Sequence, residues 1–194
     1  RDNYLITASE LLAKIGDPEL RIFDATIMFY MGMSPEEAAK MPAAHELYVA
    51  GHIPGAAFFD HQDFSDAGSK YSHTLVPDEI LANQIGKIGI SNSLEVVIYS
   101  PGILATATRA WWILRYAGVE NLRVLNGGLA AWKTAGGALE AGERTYPPTS
   151  FKPQFKPEMF ANLEEVKAAL DMADVRIENS LTQEWHDREH IPGS

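Results

Sequence analysis

Apolar and polar positions follow helix and strand periods through the first 140 residues. Residues 95–100 form a continuous apolar run of strand length, rich in β-branched side chains, which is typical of a strand buried on both faces of a parallel sheet. A turn-prone Ser-Pro-Gly segment and a helical pattern over 105–116 follow, and then a second short strand and helix. In such strand–helix–strand units ligands bind at the loop after the first strand, so residues 100–106 are the first candidate site.

Similar patterns predict the other elements. A capping-box sequence at Thr7–Glu10 begins a helix, and the segment 78–87 has an apolar helical face. The predicted strands include 22–24, 57–60, 96–99 and 123–125. The pattern therefore predicts an α/β fold over roughly residues 5–140, with a mainly parallel central sheet of about five strands flanked by helices on both faces.

The pattern of the N-terminal region begins again near residue 160. Asn162–Glu165 has a helix-capping pattern, Val175–Asn179 has strand character, and His190–Gly193 repeats the His-Ile-Pro-Gly sequence of His52–Gly55. The offset is 155 residues at the helix and strand and 138 at the turn, and loss of most of an excursion at 27–49 explains the difference. A chance match of four letters is the alternative, but the shared order of elements favours a repeat.

This repeat divides the chain into three parts. Residues 1–140 are predicted to form one α/β domain, and residues 161–194 the start of an incomplete, truncated second copy. Four prolines mark residues 141–160 as a linker rather than a helix or strand.

Composition excludes several classes of function. The net charge is −10 and no basic block occurs, so nucleic acid and anionic membrane surfaces are not expected partners. No apolar run approaches the ~20 residues of a membrane span. No signal-peptide pattern precedes the first helix, so the cytoplasm is the expected location, although the sequence starts at Arg1 rather than Met. The chain contains no cysteine, which excludes thiol catalysis and thiolate metal sites within it, and no cofactor or metal is predicted.

Several motifs in this order resemble the first domain of a tandem rhodanese, the thiosulfate and 3-mercaptopyruvate sulfurtransferase family. They are Gly51–Ala56, Phe58–Asp60, Arg109–Trp112 and Leu125–Leu129, followed by Trp132. The resemblance implies a catalytically silent first domain that packs against a second rhodanese domain. In the second domain a loop cysteine carries a persulfide; the resemblance places that cysteine beyond Ser194.

The resemblance also implies a reaction and a set of site residues. Sulfane sulfur from a small anionic donor, thiosulfate or 3-mercaptopyruvate, would pass to a thiophilic acceptor such as cyanide. His73 matches a first-domain histidine that reaches the second domain's active site, although Val76 intervenes before Pro77 and the accompanying aspartate falls near Gln62, one place before Asp63. Arg188 lies in the segment before the second turn, where the resemblance implies an arginine that binds the donor's carboxylate. A guanidinium suits this role because it can make bidentate contacts.

Other candidate residues have simpler explanations. Ser100 occupies the position equivalent to the nucleophile, but a serine needs a base and accepts sulfane sulfur poorly, so we expect a structural serine and an inactive 194-residue chain. His52 and His190 are expected to bond backbone carbonyls within turns. Asp24 is expected to cap loops at a strand end, and its counterpart is Asn179, where the family more often has Asp. A non-catalytic scaffolding or regulatory module is the alternative function.

Overall fold

The computed structural model describes residues 4–29, 34–38 and 40–194. The strands in those ranges are β1 Leu5–Ile6, β2 Leu20–Asp24, β3 Ala57–Phe58, β4 Glu95–Tyr99 and β5 Leu122–Leu125. The α-helices there are α1 Ala8–Leu12, α2 Pro35–Ala38, α3 Ala44–Ala50, α4 Asp78–Lys87, α5 Leu104–Tyr116, α6 Gly128–Thr134, α7 Leu163–Ala169 and α8 Gln183–Arg188. Two 3-10 helices lie at His61–Phe64 and Pro157–Met159. None of the helices described is long and apolar enough to cross a membrane.

One parallel sheet contains all five described strands, in the order β1-β5-β4-β2-β3. β4 is the central strand, and its residues from Val96 to Tyr99 are each 0% exposed. A strand with neighbours on both edges and helices on both faces has no exposed side, so only a continuous apolar run suits it. The predicted α/β fold with a mainly parallel sheet of about five strands is confirmed.

The edge strands were the least predictable part of the sheet. β1 was not predicted, because its two residues are too few to show an alternating pattern. β3 ends at Phe58 rather than at Asp60. Asp60 instead caps the following 3-10 helix, with its Oδ1 accepting a hydrogen bond from the Gln62 backbone N–H at 2.9 Å.

Alternate side chains of β4 enter two separate cores. Val96 and Ile98 pack with α4 and α5, whereas Val97 and Tyr99 pack with α1 and α6. Burial of each of these aliphatic side chains contributes about 1.5–3 kcal/mol to the free energy of folding. Because helices cover both faces, the loops at the carboxyl edge are left to form a site.

Residues 141–155 contain no helix or strand, yet they pack closely on the domain; this segment is called the strap below. The Tyr146 hydroxyl donates to the Gly55 carbonyl at 2.6 Å. The Thr149 N–H donates to the Gly86 carbonyl at 2.9 Å, and the Gln154 N–H to the Ala117 carbonyl at 2.9 Å. A Cβ at Gly86 would lie 2.7 Å from the Thr149 carbonyl oxygen, so this close approach requires glycine.

Residues 1–155 and 156–194 form two compact units. The second contains α7, α8 and a 3-10 helix, and all its side chains are exposed or half-buried. The capping pattern at Asn162 does begin a helix, since Asn162 Oδ1 accepts from the Glu164 and Glu165 N–H groups at 3.0 Å. Residues 175–179, however, form no strand. A strand needs a neighbouring strand to pair with, and this unit offers none.

Candidate functional site

A pocket of about 320 Å³ lies at the carboxyl edge of the sheet, between the loops that follow β4 and β5. The first loop contributes Ser100, Pro101 and Gly102, and the second contributes Asn126 to Gly128. The pocket therefore lies where the strand–helix–strand pattern predicts a ligand site. None of the described residues that line it is ionisable.

The described hydrogen bond of the Ser100 side chain lies within its own loop. Its side-chain Oγ accepts a hydrogen bond from the Gly102 N–H at 3.3 Å, and no basic side chain bonds it among the residues described. Its carbonyl lies so close to the next loop that a Cβ at Gly128 would be 2.3 Å from the oxygen. A serine without a base is a weak nucleophile.

The loop around Ser100 is also a poor cradle for an anion. Pro101 has no N–H, and the Gly102 N–H is already bonded to Ser100. Nests that bind anions need several free backbone N–H groups directed at one point. The geometry therefore offers neither a strong nucleophile nor a strong anion site at this position.

His73 lies in a compact loop that runs from Ser65 to Leu75. The loop closes through an antiparallel bridge between these two residues and a hydrogen bond of 2.8 Å from the Asp66 N–H to the Thr74 carbonyl. Among the described residues His73 is the only non-glycine with a positive φ, at 61°. Its ring Nδ1 is shielded from solvent and has no hydrogen-bond partner in the part of the chain described. Strained backbone and an unpaired polar atom are both typical of functional residues.

Arg109, on the second turn of α5, fastens this loop. Its Nη2 donates to the His73 carbonyl at 3.1 Å and to Ser65 Oγ at 3.2 Å. Its Nη1 donates to His61 Nδ1 at 2.7 Å. Burial lowers the pKa of the Arg109 guanidinium, which nevertheless stays charged at neutral pH.

His61 is a buried, neutral partner for that arginine. Arginine is only a donor, so His61 Nδ1 must accept, and His61 Nε2 then carries the proton that it donates to the Ala25 carbonyl at 3.0 Å. Burial, assisted by the charge of Arg109, lowers the pKa of His61 to about 4. The pair joins the loops that follow β2 and β3 to α5.

Asp24 and His52 support the turns beside this edge. Asp24 Oδ1 accepts hydrogen bonds from the Thr26 N–H at 3.0 Å and from the Thr26 hydroxyl. Burial raises the pKa of Asp24, while the bonds from Thr26 and Tyr99 oppose that rise. His52 Nδ1 donates to the Tyr48 carbonyl at 2.9 Å, which confirms the predicted turn histidine.

The model of the rhodanese-like domain family matches residues 7–135, which run from α1 to α6 and include strands β2 to β5. The chain belongs to the rhodanese-like domain family. The position of Ser100 is then that of the loop after the central strand of a rhodanese-like domain.

Relatives of this rhodanese-like chain include named sulfurtransferases. It is 36% identical over 166 residues to 3-mercaptopyruvate sulfurtransferase of Escherichia coli K12, covering 86% of this chain and 57% of that protein. It is 35% identical over 131 residues to the 3-mercaptopyruvate sulfurtransferase of Homo sapiens, covering 66% of this chain and 44% of that protein. The chain thus spans about half the length of the curated relatives it matches.

A solved structure gives the same result. The crystal structure of SseA from Escherichia coli, described as a rhodanese-fold 3-mercaptopyruvate sulfotransferase, superposes with a TM-score of 0.85 at 33% identity. The match covers 98% of this chain and 73% of that one. The rhodanese fold of the chain is therefore established on both sequence and structure.

Arg188, the other predicted donor-binding residue, lies in the unit 156–194. Its Nη2 donates to Glu184 Oε1 at 2.6 Å, and its guanidinium lies 5.3 Å from the centre of the Trp185 ring. It lines an open groove of about 720 Å³ with Trp185 and His190. Its side chain is 62% exposed, so the ion pair with Glu184 is weak and leaves donors available.

The second His-Ile-Pro-Gly turn has the local bonds of the first. His190 Nδ1 donates to the His186 carbonyl four residues earlier at 2.7 Å, as predicted for a turn histidine. The Ser194 N–H donates to the Ile191 carbonyl at 3.0 Å, and the Ala56 N–H to the Ile53 carbonyl at 2.9 Å. Asn179 Oδ1 accepts from the Leu181 N–H at 2.9 Å, so the amide replaces Asp24 as acceptor in the equivalent bond to residue i+2.

Sequence reasoning did not assign a role to His61 or Arg109. Arg109 was recognised only as part of a family motif, and His61 follows a strand end in a polar stretch. Their contact joins residues 48 positions apart, which no periodic pattern encodes. The one local signal was the pair of polar residues directly after the predicted strand 57–60.

Proposed function

We propose that this chain is part of a rhodanese-type sulfurtransferase, which transfers sulfane sulfur from thiosulfate or 3-mercaptopyruvate to a thiophilic acceptor such as cyanide. The observation that carries the proposal is the similarity of the chain, over 86% of its length, to a 3-mercaptopyruvate sulfurtransferase. The sequence has no basic block of the kind that binds larger polyanions.

The residue that carries sulfur is proposed to lie outside the 194 residues. The chain has no cysteine, and Ser100 at the equivalent position has no base among its described partners. A sulfur carrier must be a soft nucleophile that can also act as a leaving group, and a thiolate satisfies both requirements near neutral pH. We therefore assign residues 1–140 to the silent domain of a tandem pair.

Residues 161–194 are proposed to begin the second domain, after the linker. The support is the repeated capping box at Asn162, the repeated turn at His190 and the equivalent bond at Asn179. The exposed apolar side chains of this unit, such as Leu163, Leu181 and Ile191, would then be covered by the rest of that domain and by domain one.

In the proposed reaction a cysteine thiolate attacks the sulfur that the donor gives up, which is the outer sulfur of thiosulfate or the thiol sulfur of 3-mercaptopyruvate. The donor's bond to that sulfur breaks, and sulfite leaves from thiosulfate or the enolate of pyruvate from 3-mercaptopyruvate. The acceptor then attacks the outer sulfur of the persulfide, and cyanide leaves as thiocyanate while the thiolate is regenerated. His73 and Arg188 would bind the donor, with Arg188 holding its carboxylate or thiosulfonate group.

Thiocyanate release from thiosulfate and cyanide tests the proposal. The 194-residue chain should show no turnover, because it has no thiol, and the full-length gene product should be active. Turnover by the short chain that disappears in Ser100→Ala would make serine the nucleophile and overturn the assignment. An inactive full-length product would favour the alternative, a scaffolding or regulatory module.

Variants of the full-length product test the binding residues. His73→Ala and Arg188→Ala should each lower kcat/KM with 3-mercaptopyruvate by roughly 10- to 100-fold, because each removes a charge-assisted contact. Ser100→Ala should change it less than twofold. His45→Ala and Arg176→Ala are matched controls, since both side chains are exposed and neither is a proposed donor-binding residue. Control losses as large as those of the test variants would contradict the assignment.

A further inference from the structure

The contacts of Arg109 are unusual for an arginine on a helix beside a sheet. Two of its three described hydrogen-bonding partners, Ser65 and His73, belong to the loop that carries His73, and the third is the ring of His61. It makes no ion pair with a carboxylate among the described residues. Its guanidinium instead donates hydrogen bonds to a neutral imidazole, a hydroxyl and one main-chain carbonyl.

That main-chain carbonyl belongs to His73 itself. His73 holds a left-handed backbone with φ 61°, which a residue with a side chain adopts only when its surroundings impose it. The Arg109 bond to the His73 carbonyl is one such restraint, and the closure of the loop between Asp66 and Thr74 is another. The direction of the His73 ring follows from that backbone conformation.

His61 in turn fixes Arg109. The His61 ring is 3% exposed, and the Ala25 carbonyl holds its proton on Nε2, so Nδ1 always presents a lone pair to the arginine. Ser65 Oγ extends the same network, because it donates to the His61 carbonyl at 2.7 Å while it accepts from Arg109. The order of support therefore runs from the sheet, through His61, to Arg109 and finally to His73.

We propose that Arg109, held by neutral His61, is a positioning residue that fixes the backbone of His73 and thereby sets where its imidazole meets the sulfur donor. The inference rests on the proposed function in one respect only, the role of His73. Arg109 itself does not touch the donor. A misplacement of about 1 Å at a catalytic group costs roughly 100-fold in rate, so such support is worth as much as a direct contact.

The structural half of the proposal is tested on the 194-residue chain by NMR. Arg109→Ala and His61→Leu should shift the His73 resonances and lower the protection of the Asp66 amide against hydrogen exchange by about tenfold. His61→Gln should preserve both, because its amide can accept from Arg109 and donate to Ala25. Arg115→Ala removes an arginine from the same helix without touching the loop, and serves as the control. Unchanged His73 resonances in Arg109→Ala would overturn the proposal.

The functional half is tested on the full-length product with a double-mutant cycle. Arg109→Ala should lower kcat/KM by roughly 10-fold or more, and adding it to His73→Ala should cause no further loss. Arg109→Lys should recover part of the activity, since it keeps the charge but not the fork. Multiplicative losses in the double variant would show that Arg109 acts independently and would overturn the proposal. Full activity of His73→Ala, together with shifted His73 resonances in Arg109→Ala, would instead remove the proposed role of His73 in the reaction. It would leave the contact by which Arg109 positions His73 intact.

Discussion

The same four residues, His-Ile-Pro-Gly, form the same turn in two different surroundings. In the first unit His52 and Ile53 are 0% exposed, and the His52 ring stacks on Tyr48 with 4.3 Å between ring centres. In the second unit Ile191 is 45% exposed, while the His190 ring stacks on His186 at 4.0 Å. The two turns have the same local hydrogen bonds, but only the first is buried. A turn is therefore specified by its own residues, whereas its contribution to stability depends on what packs over it.

The largest expected difference between the two units is in their ability to fold alone. A fragment of residues 1–155 contains both cores and should unfold cooperatively on heating, close to the temperature of the whole chain. A fragment of residues 156–194 should show no cooperative transition, because chains below about 40 residues bury too little apolar surface to offset chain entropy. Circular dichroism of the two fragments measures this. A cooperative transition in the second fragment would contradict the comparison.

Substitution of the two turn histidines should show the same contrast within one chain. His52→Ala should lower the free energy of unfolding by about 2–4 kcal/mol, because it leaves a cavity beside Tyr48 and an unpaired carbonyl. His190→Ala should change it by less than about 0.5 kcal/mol, as expected for an exposed side chain. Urea denaturation followed by tryptophan fluorescence gives both values. Equal losses in the two variants would mean that the second turn is as buried as the first.

A smaller contrast is expected in the dependence of stability on pH. The pKa of His61 is lowered from 6.5 to about 4 in the folded chain, so the unfolded chain binds a proton more readily. The contribution of His61 to the free energy of unfolding should therefore be fully present above pH 6.5 and be lost as the pH drops toward 4. The expected loss is about 2 kcal/mol between pH 7 and pH 5.

Denaturation at several pH values measures this slope. His61→Gln should flatten it, because glutamine makes both hydrogen bonds without titrating. His190→Gln is the matched control, and should leave the slope as it is. A slope that survives in His61→Gln would assign the acid sensitivity to other groups.

Much of the fold could be predicted because its signals are local. The apolar run of β4 identified the central strand, and the capping patterns at Thr7 and Asn162 identified two helix starts. β1 could not be predicted, since its pairing with β5 joins residues more than a hundred positions apart. The missing strand at 175–179 follows the same rule, because strand character in a sequence forms a strand only beside a partner.

The candidate site was less predictable than the fold. The position of Ser100 followed from the strand–helix–strand pattern, and its lack of a base agrees with the structural serine that was expected. The support of His73 by Arg109 and His61 comes from three elements of the chain and has no periodic signal. The left-handed backbone of His73 was also not foreseen, because histidine gives little indication of that conformation in a sequence.

The strap also determines how the first unit would respond to mechanical force. Its bonds to Ala117, Gly86 and Gly55 follow one another along residues 154, 149 and 146. Tension applied to the chain beyond residue 155 would break these hydrogen bonds one after another, beginning at residue 154, rather than all together. Unfolding of the first unit from this end would therefore begin with stepwise detachment of the strap.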